Sequence, residues 1–380
     1  MGFDFLWASF KELTWQNCLM MLIGGLLIFL AIKKEMEPAL LLPMGFGAIL
    51  VNLPLSGVLS YTMENIGEVT GIIEWLFNTG IQVSEAFPLL LFIGIGAMID
   101  FGPLLSNPKL LFFGGAAQLG IFLTIIFAGL IGFDLKDAAS IGIIGAADGP
   151  TSILVSQVLK SKYMGAIAVA AYSYMALVPI IQPAAIKAVT TKRERAIKMP
   201  YNPENVSKLT KILFPIIVTI IAGFIAPASV ALVGFLMFGN LIRECGVLNS
   251  LSETAQKSLA NLITLLLGIT IAFSMQAKNF VQWDTLKILL LGLFAFVFDT
   301  IGGVMFAKLY NVFAKTKINP MVGAAGISAF PMSARVVQKL GLEADPQNHL
   351  LMHAVGANVS GQIASVVAGG IILSLIPGMI

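Results

Sequence analysis

Apolar residues along this chain come in long runs. Cys18 to Ile32, Ala39 to Val51, Leu110 to Gly132, Ile212 to Ile225 and Ile288 to Ala307 contain a single charge between them, Asp299. A helix crosses the roughly 30 Å of bilayer hydrocarbon in about 20 residues, so these runs predict membrane-spanning helices, and a chain of this length has room for about ten. One stretch has a different pattern. Ile66, Val69, Ile72, Ile73, Leu76 and Phe77 share a face, with Glu64, Glu68 and Glu74 between them. That amphipathic pattern predicts a connector lying at the membrane interface.

Composition narrows the class. Hydrophobic residues make up 57% of the chain and charged ones 11%, against about a quarter charged in a soluble domain, which excludes one large soluble core. Its 37 glycines suit helices packed closely in lipid, and its 17 prolines are tolerable where neighbouring helices satisfy the freed backbone groups. The net charge of +3 is too small to suggest nucleic acid. Its distribution says more: Lys187, Lys192, Arg193, Arg195, Lys198, Lys208 and Lys211 face only Glu194 and Glu204 in the central loop, which predicts that this loop is cytoplasmic. Met1 to Asp4 offer no basic region, so no cleavable signal peptide is expected. Cys18 and Cys245 have no metal-ligand spacing and predict no disulfide; His349 and His353, four apart, read as one helix face without the partners of a metal site.

The basic linker, residues 191–211, separates units of similar length, 1–190 and 212–380, and these repeat. Asn52-Leu53 recurs as Asn240-Leu241, Leu91 to Ile95 as Leu265 to Ile269, Lys109 to Gly114 as Lys287 to Gly292, and Gly145-Ala146-Ala147 as Gly323-Ala324-Ala325. Ala168-Val169 before Tyr172 matches Ala354-Val355 before Asn358; all five matches keep their order, with offsets between 174 and 188. The expected fold is an all-α polytopic membrane protein of two repeats, each with a discontinuous helix or hairpin. If each unit crosses an odd number of times, the repeats are inverted, with the binding site at their interface.

The candidate chemistry lies in the interrupted segments. Gly142, Gly145, Gly149 and Pro150 surround Asp148 in an apolar neighbourhood, and Pro150 lacks the N–H of a continuous helix, so the chain should break at Asp148. A carboxylate at that depth costs at least about 2.5–3.5 kcal/mol and needs a proton, an ion or a partner. No Lys or Arg lies within ten residues. The second unit breaks near Asn319-Pro320, Gly323 to Gly326 and Pro331. Paired breaks of this kind expose carbonyls and helix ends suited to a cation. Asn358 and Gln362 put amide oxygens on one face of the last helix, as a hard monovalent cation requires. Arg335 has the fork that binds a carboxylate. Asp299 reads as a relay or a helix contact, and Asp100 as interfacial.

Gly145 to Thr151 and Asn319-Pro320 through Gly326 to Arg335 resemble the membrane-embedded beta subunit of biotin-dependent sodium-pumping decarboxylases, which act on oxaloacetate, glutaconyl-CoA, methylmalonyl-CoA or malonate. Glu37-Pro38 through Pro54 and Gly356 to Gly361 extend the resemblance over nearly the whole chain. It implies decarboxylation of carboxybiotin coupled to sodium export in exchange for a proton. It implies Asp148 and Asn358 as sodium ligands, and Asn319, Gly323, Ser328, Arg335 and Tyr174 as ion-path or carboxybiotin residues, with Ser328 and Arg335 at the carboxybiotin. Asp148, Tyr174 and Arg335 are then the catalytic candidates. The implied partners are a carboxyltransferase (alpha) subunit, a biotin carrier protein, a small gamma or delta membrane subunit and two further beta subunits in a homotrimer, in the bacterial inner membrane. A sodium/proton antiporter or sodium/solute symporter is the rival reading, and Arg335 beside Ser328 is the feature that separates them.

Overall fold

In the computed structural model, which describes residues 5–35, 38–63, 67–83, 85–200 and 206–379, each long apolar run is helical. A chain crossing lipid must satisfy its backbone groups internally, and helices do so. Among the described residues, seven helices are long and apolar enough to cross a membrane: Trp15–Lys33, Pro108–Ile131, Met164–Val189, Lys208–Ile225, Asn249–Met275, Trp283–Phe313 and Leu351–Met379. Ile72–Val83 and Ala86–Met98, bent by 70°, make an eighth if counted as one span. The chain is a multi-pass, helical membrane protein. Met1 to Asp4, Glu37, Glu64, Ile66 and Glu204 lie outside the described residues.

The connector departs from one continuous amphipathic segment. Tyr61–Met63 and Gly67–Val69 pair antiparallel, Tyr61 opposite Val69, and only then does a short helix, Ile72–Phe77, bury Ile73 and Phe77. Gly67, at φ +95°, adopts a backbone that side chains resist, which ends any helix there. His349 also differs from expectation: it precedes Leu351–Leu375, so it does not share that helix's face with His353.

Two helix pairs bring the halves of the chain together. Pro38–Asn52 packs on Ala260–Ile271, and Ala86–Met98 on Val230–Glu244. Their ends are fastened reciprocally. Asn52 donates from Nδ2 to the Met275 carbonyl and accepts the Ala277 N–H on Oδ1, both at 2.8 Å; Asn240 donates from Nδ2 to the Ile99 carbonyl at 2.9 Å.

The two interrupted segments are hairpins opening at opposite faces. Leu135–Gly142 runs inward and Gly149–Val158 runs back, so that Ser161, just past the second arm, donates to Asp137 at the start of the first at 2.6 Å. The other hairpin is built of Met321–Ala324 and Met332–Ala344. Asn319 before it and Asn348 after it both donate to the Arg195 carbonyl in the basic linker, each at 2.8 Å. Met164–Val189 leaves the mouth of the first hairpin and reaches the linker after 26 residues, about 39 Å at 1.5 Å per residue. The hairpins therefore enter from opposite sides.

Candidate functional site

The hairpin tips touch. In the first, Ile143–Ala146 is a turn of 3-10 helix and Ala147 is left-handed at φ +54°, which reverses the chain. In the second, residues 325–331 are not helical. The freed groups of one tip satisfy the other: the Ser328 N–H donates to the Ala146 carbonyl at 3.0 Å.

Asp148 sits at this junction, 4% exposed. It is the N-cap of Gly149–Val158, where the unpaired N–H groups and positive end of the helix favour an anion. Its Oδ2 accepts from Thr151 Oγ1 at 2.8 Å and Ser365 Oγ at 3.0 Å, and its Oδ1 from the Thr151 N–H at 3.3 Å. Every one of these donors is neutral, and among the described residues no Lys, Arg or His pairs with it. The carboxylate is held in place but its charge is not balanced.

The last helix, Leu351–Leu375, closes the junction with one polar stripe. Asn358 Nδ2 donates to the Ile327 carbonyl at 2.7 Å, Gln362 Nε2 donates to the Ser328 carbonyl, and Ser365 reaches Asp148. Ser328 Oγ donates to Ser365 Oγ at 2.5 Å, so a hydroxyl chain runs from the second tip to Asp148 in the first. Gly361 lies within the same stripe because a Cβ there would strike the Gly326 and Ile327 carbonyls. Among the described residues at this junction, two buried oxygens have no hydrogen-bond partner: Asn358 Oδ1 and the hydroxyl of Tyr172, whose ring covers Gly149.

Asp148, Ser328, Asn358 and Gln362 are thus brought together. The other residues singled out from the sequence lie elsewhere. Tyr174 donates its hydroxyl to the Leu289 carbonyl, with its ring against Gly292. Gly323 packs on Gly303 so closely that a Cβ on either would meet the other's backbone. Asn319 holds the linker, donating to the Arg195 and Ile197 carbonyls, both at 2.8 Å. Arg335 is exposed and lines a cavity of about 730 Å³ with Lys34, Ala176, Pro179, Lys187 and Lys339. Lys187 is bound to Glu343 at 3.1 Å, whereas among the described residues Arg335 has no acidic partner. Asp100 is at a helix end, 3.4 Å from Lys211. Ser365 and Tyr172 were not anticipated. The signal for Ser365 is its spacing, seven after Asn358 and three after Gln362, which puts it on the same helix face.

The family described as Na+-transporting oxaloacetate decarboxylase beta subunit matches residues 16–376. The chain is 47% identical to glutaconyl-CoA decarboxylase subunit beta of Acidaminococcus fermentans, over 98% of this chain and 96% of that protein. It is 48% identical to methylmalonyl-CoA decarboxylase subunit beta of Propionigenium modestum, over 97% of each. To a probable oxaloacetate decarboxylase beta chain of Vibrio cholerae it is 44% identical, again over 97% of each.

Proposed function

The chain belongs to the Na+-transporting oxaloacetate decarboxylase beta-subunit family, and on that premise we propose that it is the sodium-pumping membrane subunit of a biotin-dependent decarboxylase, with Asp148 as its ion site. The observation that carries this reading is the junction itself. An uncompensated carboxylate and serine hydroxyls meet where the two hairpin tips touch, and the bare Asn358 Oδ1 lies on the same helix stripe, two turns from Ser365. A sodium ion takes hard oxygen ligands and supplies the missing positive charge.

Arg335 is the group that binds the carboxylate of carboxybiotin, and its cavity suits that task. Its volume holds a small bicyclic head, its basic Arg335, Lys34, Lys187 and Lys339 outnumber the acidic Glu35 and Glu343, and Ala176, Pro179 and Met332 make an apolar wall. Carboxybiotin, presented by a partner, contributes a carboxylate whose loss as carbon dioxide drives the cycle. Moving one charge against 100 mV costs about 2.3 kcal/mol, so sodium export needs such a drive. Ser328 couples the two places, since it lies on the same hairpin as Arg335 and donates toward Asp148 through Ser365. Tyr172 OH, buried beside Gly149, is better placed than Tyr174 to hold a proton at the junction. Gly323 serves by letting the second hairpin pack closely on Trp283–Phe313, and Asn319 by fixing the hairpin to the linker.

Two inverted repeats of about ten spans in total fit this scheme. The reciprocal bonds of Asn52 and Asn240, with hairpins opening at opposite faces, support that reading. The linker face is cytoplasmic, in a bacterial inner membrane, and meets the carboxyltransferase and biotin carrier; a small membrane subunit and a trimer of this chain complete the assembly. The test is sodium uptake into vesicles containing the reconstituted complex. Uptake should require substrate and stop with avidin, and uptake indifferent to both overturns the proposal.

A further inference from the structure

Asp299 has no part in the scheme above, yet it is fully buried near the middle of the 31-residue helix Trp283–Phe313. Its Oδ1 accepts the Ile121 N–H at 3.1 Å, and the carboxyl group also accepts the Gly120 N–H, just where the span Pro108–Ile131 is interrupted at Ala117 and Gln118. Its Oδ2 has no partner. That oxygen abuts Gly145, three residues before Asp148 on the first hairpin. A Cβ on Gly145 would collide with it and stand 2.8 Å from the Ala295 Cβ. So tight a contact leaves no room for a metal ion and its several oxygen ligands.

Nor, among the described residues, is there a cation to balance the group. Leu111–Ala116, Leu119–Ile131, Ile143–Ala146 and Met321–Ala324, all packed on this helix, contain no charged side chain. Lys136 and Asp137 lie at the far end of Leu135–Gly142, and Asp284, Lys287 and Lys308 toward the ends of Asp299's own helix. On Met164–Val189, also packed on this helix, Tyr174 is turned to Leu289 and Lys187 sits in the last turn, bound to Glu343; among the described residues Asp148 is the one other acid near the hairpin tip. A carboxylate oxygen that is bare, uncompensated and enclosed by apolar atoms is stable only with a proton on it.

We propose that Asp299 is a proton-binding site of the membrane interior, distinct from Asp148, which keeps its proton while Gly145 covers Oδ2 and releases it when the first hairpin withdraws. On withdrawal the Oδ2–H bond breaks, the proton passes to water entering behind the hairpin, and the carboxylate remains on its two backbone donors; return of the hairpin requires the proton back. This rests on the reading of the junction as a sodium site, because the hairpin whose Gly145 covers Oδ2 also carries Asp148.

The test is infrared spectroscopy of the purified complex at saturating sodium, where Asp148 is ionised by its ion, combined with sodium binding. Wild type should show a protonated-carboxyl band that shifts in deuterium oxide. Asp299→Asn should lose that band while still binding sodium, and Asp299→Glu should keep it at a shifted frequency. In reconstituted vesicles, Asp299→Asn should lose proton uptake during turnover. An unchanged band in both variants, or wild-type proton uptake in Asp299→Asn, overturns the proposal. Failure of wild type to bind sodium would instead overturn the reading of the junction.

Discussion

Ser365→Ala should weaken sodium binding about ten- to hundredfold. The hydroxyl donates to Asp148 Oδ2 at 3.0 Å and is itself fed by Ser328 at 2.5 Å. A hydrogen bond to a charged group contributes about 1.5–3 kcal/mol, and about 1.4 kcal/mol is a factor of ten in affinity. The serine supports the ionised carboxylate, the form that takes sodium, so its loss falls on binding. Ser328 keeps a second acceptor in the Gly361 carbonyl at 3.4 Å, so the second tip should stay in place. The assay is equilibrium binding of radiolabelled sodium to the purified complex. Ser374→Ala serves as control, because Ser374 donates only along its own helix, to the Gly370 carbonyl at 2.9 Å. Unchanged affinity in Ser365→Ala, or equal losses in both variants, would refute the hydroxyl chain as part of the site.

Asn52→Ala and Asn240→Ala should each lower stability by about 1–3 kcal/mol, since each strands buried backbone groups at a helix end; thermal unfolding in detergent checks this, and an unaffected protein would show that these bonds do not fasten the halves. Gly361→Ala should destabilise by about 1–3 kcal/mol through overpacking against the second hairpin tip, read by the same assay. Asn319→Ala should expose the linker, seen as faster trypsin cleavage between Lys192 and Lys198. The linker is also held at Asp345, whose carboxyl lies below its usual range because it accepts the Gln347 N–H and pairs with Lys198 at 3.0 Å. Its contribution is full above the ordinary carboxylate range and is lost as pH falls through the lowered value, so linker amides should exchange hydrogen faster in acid.

The long apolar helices and the break at Asp148 were legible because lipid imposes strong constraints: apolar runs of fixed length, and an acid among glycines and a proline that no soluble core explains. That the breaks are hairpins rather than through-going interrupted helices depends on which ends meet, and Ser161 with Asp137 or Asn319 with Asn348 share no local pattern. Ser365 is indistinguishable in sequence from the small residues that pack membrane helices, and only its register with Asn358 and Gln362 sets it apart. Tyr172 and Tyr174 are two residues apart, hence on different helix faces, and which one meets Asp148 is decided by helix rotation, which composition does not record. The connector misleads for a different reason: its helical apolar spacing is real, but Gly67 and Gly71 divide it.

The most direct test of the account is sodium binding to the purified complex with Asp148→Asn beside wild type. Wild type should bind sodium saturably, and the variant should lose that binding while still folded. Wild-type sodium affinity in Asp148→Asn would contradict it.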